Sequence, residues 1–112
     1  MKKHTFTWFH RNLSEEYIHY LINYKKKLLY DGVSEKTIHQ YLKQLGNWFE
    51  FLQKKEMSPL DATVEMVEEY LNTFDVSESR MNVIISILSG YYRHLKRRKY
   101  IKEDIMKKFK NK

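Results

Sequence analysis

At 112 residues the chain is the size of one domain with a single modest core, and one proline and three glycines leave little room for a loop-rich all-β fold. The absence of cysteine removes disulfides and cysteine-ligated zinc, and no apolar run approaches the ~18 residues of a membrane span. The net charge of +7 is uneven: residues 1–92 hold 11 basic and 12 acidic side chains, residues 93–112 hold 10 basic and 2 acidic, and residues 61–79 hold six acids with no Lys or Arg. A basic end of this kind fits a polyanion, either nucleic acid or an anionic membrane surface, with a solvated tail as the plain alternative.

Residues 1–13 read as an arm with an aromatic cluster, Phe6, Trp8 and Phe9, and its polar start is unlike a signal peptide, so a cytoplasmic protein is expected. Ser14 is the expected cap of a first helix, with Glu15 and Glu16 in the turn where the helix dipole favours acids. Tyr17, Leu21, Tyr24 and Leu28 form its apolar stripe, flanked by Ile18, Ile22 and Leu29, and Asp31-Gly32 ends it.

The predicted second and fourth helices share one pattern. Ser34 and Ser77 each stand in a Val-Ser-Glu start signal, and apolar residues follow at the same seven offsets. The first copy has Ile38, Tyr41, Leu42, Leu45, Trp48, Phe49 and Leu52; the second has Met81, Ile84, Ile85, Leu88, Tyr91, Tyr92 and Leu95. Steps of three and four residues make each an amphipathic helix, from Ser34 to near Lys55 and from Ser77 to near Lys99. Met57-Ser58-Pro59 breaks the second helix. Between the copies, Thr63 or Asp61 caps a third helix with Val64, Val67, Tyr70, Leu71 and Phe74 on one side and Glu65, Glu68 and Glu69 on the other. After Tyr100-Ile101, Glu103-Asp104 starts a possible short fifth helix through Ile105, Met106 and Phe109. The expected fold is an all-α compact bundle of four main helices: arm 1–13, helical domain 14–101, and basic tail or interdomain linker 102–112.

The outward faces of the matched helices differ. The second carries Lys36, Gln40, Lys43, Asn47, Glu50 and Lys54, with Thr37 and Gln44 alongside. Lysine, amide and hydroxyl side chains are those that reach phosphates and base edges, although an ordinary solvated face has the same composition. The fourth carries Ser79, Val83, Ser86, Gly90, Arg93 and Arg97, with Asn82 and Ser89 alongside and Arg80 and Lys96 at its edges. Small residues let another surface approach the helix backbone. Packing against the first helix is the plain account of the small residues, but not of the arginines, which a buried face does not accept unpaired.

Chemical signatures are sparse. The five histidines, at 4, 10, 19, 39 and 94, lack metal-ligand spacing, so no metal is expected. Glu68 and Glu69 are adjacent and point about 100° apart on a helix, which is not an acid/base pair. No glycine-rich phosphate loop is present, and nothing calls for a cofactor or small-molecule substrate.

The order of these segments resembles a known family. Ser34-Glu35-Lys36-Thr37-Ile38-His39-Gln40-Tyr41, followed by Leu45 and Trp48-Phe49-Glu50-Phe51-Leu52, is similar to helix 2 of the core-binding domain of tyrosine recombinases (phage integrases), also called the SAM-like integrase N-terminal domain. Val64 to Leu71 resembles its acidic helix ending in Tyr-Leu. Ser79-Arg80-Met81-Asn82 and Ile87-Leu88-Ser89-Gly90-Tyr91-Tyr92-Arg93-His94-Leu95 resemble its last helix. The resemblance covers about residues 12–101. It implies a four-helix domain that clamps one side of duplex DNA for recombination or integration, while a separate catalytic domain carries the nucleophilic tyrosine. By that matching, Lys36, Thr37, Gln40, Lys43 and Gln44 face DNA from the second helix, and Arg80, Asn82, Ser86, Ser89, Arg93, Lys96 and Arg97 from the fourth or the linker beyond it. His94-Leu95-Lys96-Arg97 spells the His-x-x-Arg of the family's catalytic signature but stands in the wrong domain and reads as chance. The family's Asn-Pro near the domain exit is replaced by Lys102-Glu103-Asp104, and no catalytic residues are expected here.

The expected function is therefore a non-catalytic DNA-binding domain of tyrosine-recombinase type. Its partners would be double-stranded DNA and a catalytic domain or further recombinase protomers, with no membrane partner. The alternatives are a stand-alone helical protein-interaction module, a DNA-binding regulator unrelated to recombination, and an amphipathic tail at 96–112 that lies on a membrane surface.

Overall fold

The computed structural model describes residues 13–109. They form four α-helices and two single-turn 3-10 helices and no strand, the all-α class expected. The chain divides into two units, residues 1–54 and 55–112. Phe6, Trp8 and Phe9 of the expected arm lie outside the described residues.

The first unit is an antiparallel αα-hairpin of α1 (Glu15–Tyr30) and α2 (Glu35–Lys54). The predicted α1 stripe of Tyr17, Leu21, Tyr24 and Leu28 is buried in full. Ser14 occupies the N-cap with an extended backbone, and its carbonyl accepts from the amides of Tyr17 and Ile18 at 3.1 Å each. The expected side-chain cap is not made. The Ser14 amide instead donates to Gln53 Oε1 near the end of α2 at 2.7 Å, which ties the two ends of the hairpin together. Burial holds the Tyr17 phenol above its ordinary pKa, with the Glu16 and Tyr20 charges adding to the effect. The neutral phenol is the form that packs, so this contribution to stability is fully present below the ordinary phenol pKa and is lost as pH rises from there through the raised pKa of the folded state.

At the other end of α1, Gly32 takes φ +83°. Its amide donates to Leu29 O at 3.0 Å and that of Val33 to Leu28 O at 3.1 Å, the paired bonds of a Schellman ending. A Cβ there would touch nothing within 4 Å, so the requirement for glycine is conformational. Ser34 Oγ then accepts from the Thr37 amide at 3.3 Å and donates to Thr37 Oγ1 at 3.0 Å, starting α2. Six of its seven predicted stripe positions are buried and Tyr41 is half-buried. Phe49 receives the rings of Tyr17 at 5.9 Å and Tyr20 at 6.2 Å between centroids.

The chain leaves α2 through Glu56, which adopts φ 56° before the expected Pro59 break is reached. The second unit begins with a 3-10 turn, Pro59–Asp61, whose N-cap Ser58 Oγ accepts from Leu60 N at 3.1 Å. Thr63 Oγ1 caps α3 (Val64–Leu71) by accepting from Met66 N at 3.2 Å, and Ser77 Oγ caps α4 (Glu78–Arg97) by accepting from Arg80 N at 3.2 Å. Val67 and Tyr70 of α3 and Ile84, Leu88, Tyr91, Tyr92 and Leu95 of α4 are buried. The Tyr92 hydroxyl donates to Pro59 O at 2.9 Å in the interior, fastening α4 to the entry turn. On the outside of α3, Lys55 reaches Glu69 at 2.8 Å and Lys108 reaches Glu68 at 3.0 Å.

Burial around α2 and α4 exceeds the predicted stripe in the same way. Both helices also bury the positions ten and twelve residues after their capping serines, Gln44 and Gly46 in α2 and Ile87 and Ser89 in α4. At about 3.6 residues per turn these positions flank the seven-residue stripe, one on each side and about 40° beyond its edges. The buried arc is therefore widest at mid-helix, where neighbours surround a helix most fully.

Residues 102–109 run through bends and turns, with Met106 buried and Ile105 and Phe109 half-buried. The expected fifth helix is reduced to a 3-10 turn at Lys107–Phe109, preceded by Asp104, whose Oδ1 accepts from Met106 N at 2.9 Å. Five apolar or acidic residues with so short a span do not sustain a longer helix; the Met106 side chain, fully buried, anchors the segment instead. Met106→Ala should destabilise the protein by about 2–5 kcal/mol, as buried methionine truncations do. A thermal melt that moves no further than that of an exposed-site control would show that Met106 is not part of the core.

Candidate nucleic-acid interface

The sequence expectations separate once each helix has a definite inward side. On α2, Lys36, Gln40 and Lys43 are exposed and lie within about 60° of arc opposite the buried stripe. Asn47 and Glu50 continue this row half-buried, and Lys54 ends it exposed. Thr37 lies on a flank and is half-buried, with its hydroxyl already bonded to Ser34. Gln44 is only 6% exposed, so the expectation that it faces outward is corrected: it sits in the widened mid-helix arc.

On α4, Asn82, Ser86, Arg93 and Arg97 are exposed and share about 60° of arc. Lys96 is exposed at one margin, and Arg80 is exposed at the first turn on the opposite flank, apart from the others. Ser89 is 4% exposed and its Oγ has no hydrogen-bond partner among the described residues, so it too is corrected from the outward face to the interior. Gly90 is half-buried beside the Ser86 and Arg93 row. The α4 face is thus a strip of small polar side chains ending in two arginines one turn apart.

Electrostatics reinforce the C-terminal end of this strip. Lys96 and Arg97 lie in the last turn of α4, where the helix dipole is negative and favours cations. Arg98 is the C-cap, and Lys99 follows with φ 66°. Its amide donates to Lys96 O and that of Tyr100 to Leu95 O, both at 2.9 Å, so α4 closes with a Schellman pair that uses lysine where glycine is usual. Beyond it, Lys102, Glu103, Asp104 and Lys107 line an open polar depression together with Lys96. Arg98, Lys99, Lys102 and Lys107 were not singled out by helix-face reasoning, because they lie past the last periodic residue. The signal that could have found them is the charge run itself.

Among the described residues no carboxylate pairs with Arg80, Arg93, Lys96, Arg97, Arg98, Lys99 or Lys102, whereas Lys27, Lys55 and Lys108 are bridged to Asp31, Glu69 and Glu68. No group of three or more His, Cys, Asp or Glu side chains among the described residues is arranged to hold a metal ion. No helix of the described residues is long and apolar enough to cross a membrane. Exposed, unneutralised cations beside small polar residues can hold anionic oxygen atoms along an extended surface.

A family model described as "Phage integrase, N-terminal SAM-like domain" matches residues 15–99. No curated protein and no solved structure matches the chain.

The position of Ser89 yields a test. Ser89→Ala removes a buried hydroxyl that has no partner, so it should hold or raise stability, by up to about 1 kcal/mol, and leave binding to a DNA duplex unchanged. Loss of duplex affinity in a folded Ser89→Ala protein would return Ser89 to the interface.

Proposed function

We propose, from the premise that this chain belongs to the phage integrase N-terminal SAM-like domain family, that it grips duplex DNA for a tyrosine recombinase without itself breaking the strand. The observation that carries this reading is the exposed row Asn82, Ser86, Arg93 and Arg97 on α4, with the cations of residues 96–99 continuing from its end. Arg93 and Arg97 stand one helical turn apart and contact successive backbone phosphates. The small Ser86 beside them lets the sugar–phosphate chain approach the helix closely. Lys36 and Lys43 contact phosphate from α2, and Gln40 and Asn82 have side chains suited to sugar or base edges.

The family supplies the recombination context: this domain holds one side of the duplex, and the partner that completes the clamp is a catalytic domain or another recombinase protomer. Lys36, Gln40, Lys43, Arg80, Asn82, Ser86, Arg93, Lys96 and Arg97 remain the proposed contacts. Thr37 contributes chiefly to starting α2, and Gln44 and Ser89 serve packing.

Titration of a DNA duplex at rising salt tests the reading. Alone, the protein should bind with a dissociation constant of about 10⁻⁴–10⁻⁶ M at physiological salt, and the affinity should fall linearly on a log–log salt plot. Arg93→Ala should weaken binding at all sequences and reduce the steepness of that plot by about one unit. Affinity indifferent to salt, or no binding at low salt, would sink the proposal.

A further inference from the structure

Tyr100 stands among the unneutralised cations at the end of α4 and is 56% exposed. Its backbone is fixed by the Schellman pair, Lys99 N to Lys96 O and Tyr100 N to Leu95 O, at 2.9 Å each. Among the described residues it makes no ring contact, while Tyr17, Tyr20, Tyr70, Tyr91 and Tyr92 are each engaged with another aromatic ring. Lys96, Arg97, Arg98 and Lys99 precede it, Lys102 follows it, and all five are exposed.

We infer that Tyr100 is a stacking platform for an unpaired nucleobase, with the flanking cations holding the phosphates of that strand. This deepens the DNA-binding reading and rests on it. An aromatic face accepts any base because every base presents a π-face, and cations tracking the backbone supply the rest of the affinity. A paired base inside a duplex offers no free face, so the ring selects for strands that are open, nicked or frayed. The turn pre-orders the residue, so little backbone freedom is lost when a base settles on it.

Tyr30 is an internal control. It is 91% exposed, more than Tyr100, and lies at the end of α1 near Lys25, Lys26 and Lys27. Lys27, however, is bridged to Asp31 at 2.8 Å and its ammonium lies 5.9 Å from the Tyr24 ring centre. Exposure alone therefore does not single out Tyr100. The concentration of unpaired cations around a rigid turn does.

The experiment measures binding of the full chain to a labelled mixed-sequence single strand and to the same sequence as a blunt duplex, each across a salt series. Tyr100→Ala should weaken single-strand binding about five- to a hundredfold with the salt slope unchanged, and alter duplex binding less than about twofold. Tyr100→Phe should keep the single-strand affinity, and Tyr30→Ala should change neither. Equal losses on strand and duplex, a loss in Tyr100→Phe matching that of Tyr100→Ala, or no loss at all overturns the platform. Circular dichroism and melting of each variant confirm that the helices persist. Salt-dependent duplex binding by the unsubstituted protein reports separately on the DNA-gripping function, so failure of one does not conceal the other.

Discussion

The buried bond from the Tyr92 hydroxyl to the Pro59 carbonyl fixes the rotation of α4 about its own axis. A stripe of aliphatic residues alone tolerates some turning, because methyl groups pack against one another without strict direction. A phenol that must reach one carbonyl in the interior does not, since leaving either group unpaired there costs about 1–3 kcal/mol. Once Tyr92 is aimed at Pro59, Tyr91 and Leu95 follow inward, and Arg93 and Arg97 can only point out. The exposed side of α4, the one proposed to face DNA, is thus determined by a polar contact on its opposite side.

The helices were legible in the sequence because their signals are local. Capping serines, a Schellman glycine and steps of three and four residues placed α1, α2 and α4 to within about two residues at each end. Burial at Gln44 and Ser89 was not legible. A polar side chain on the margin of an apolar stripe has the same pattern whether neighbours cover it or water does, and only the packing around mid-helix decides. Ser89 carries an unpartnered hydroxyl as a result, a cost that hydropathy cannot register. The candidate residues on the centre of each outward arc, Lys43 or Arg93 for example, were insensitive to that widening and stayed exposed.

The ends of α2 and α4 show a second limit. The chain leaves both helices through a left-handed residue, Glu56 and Lys99, at φ 56° and 66°. Without glycine or asparagine the sequence offers no direct mark of that conformation, which typically costs an L-residue about 1–2 kcal/mol. The Pro59 signal was real, but it acts three residues later, as the first position of a 3-10 turn. Charge was easier to locate than to assign. Half of the acidic stretch, Glu65, Glu68 and Glu69, proved to lie on α3, where Glu68 and Glu69 each hold a lysine, and one member of the basic stretch, Lys108, makes such a pair.

Met106 has a consequence for the order in which the molecule is assembled during synthesis. The first unit has its whole complement of core side chains once residue 54 has emerged, so its hairpin can close early. The second unit keeps an unfilled place in its interior until Met106, nine residues beyond the end of α4, has also emerged. For that interval its helices are secured by local caps and incomplete packing, and the apolar surface that Met106 later covers is open to chaperones and to neighbouring chains.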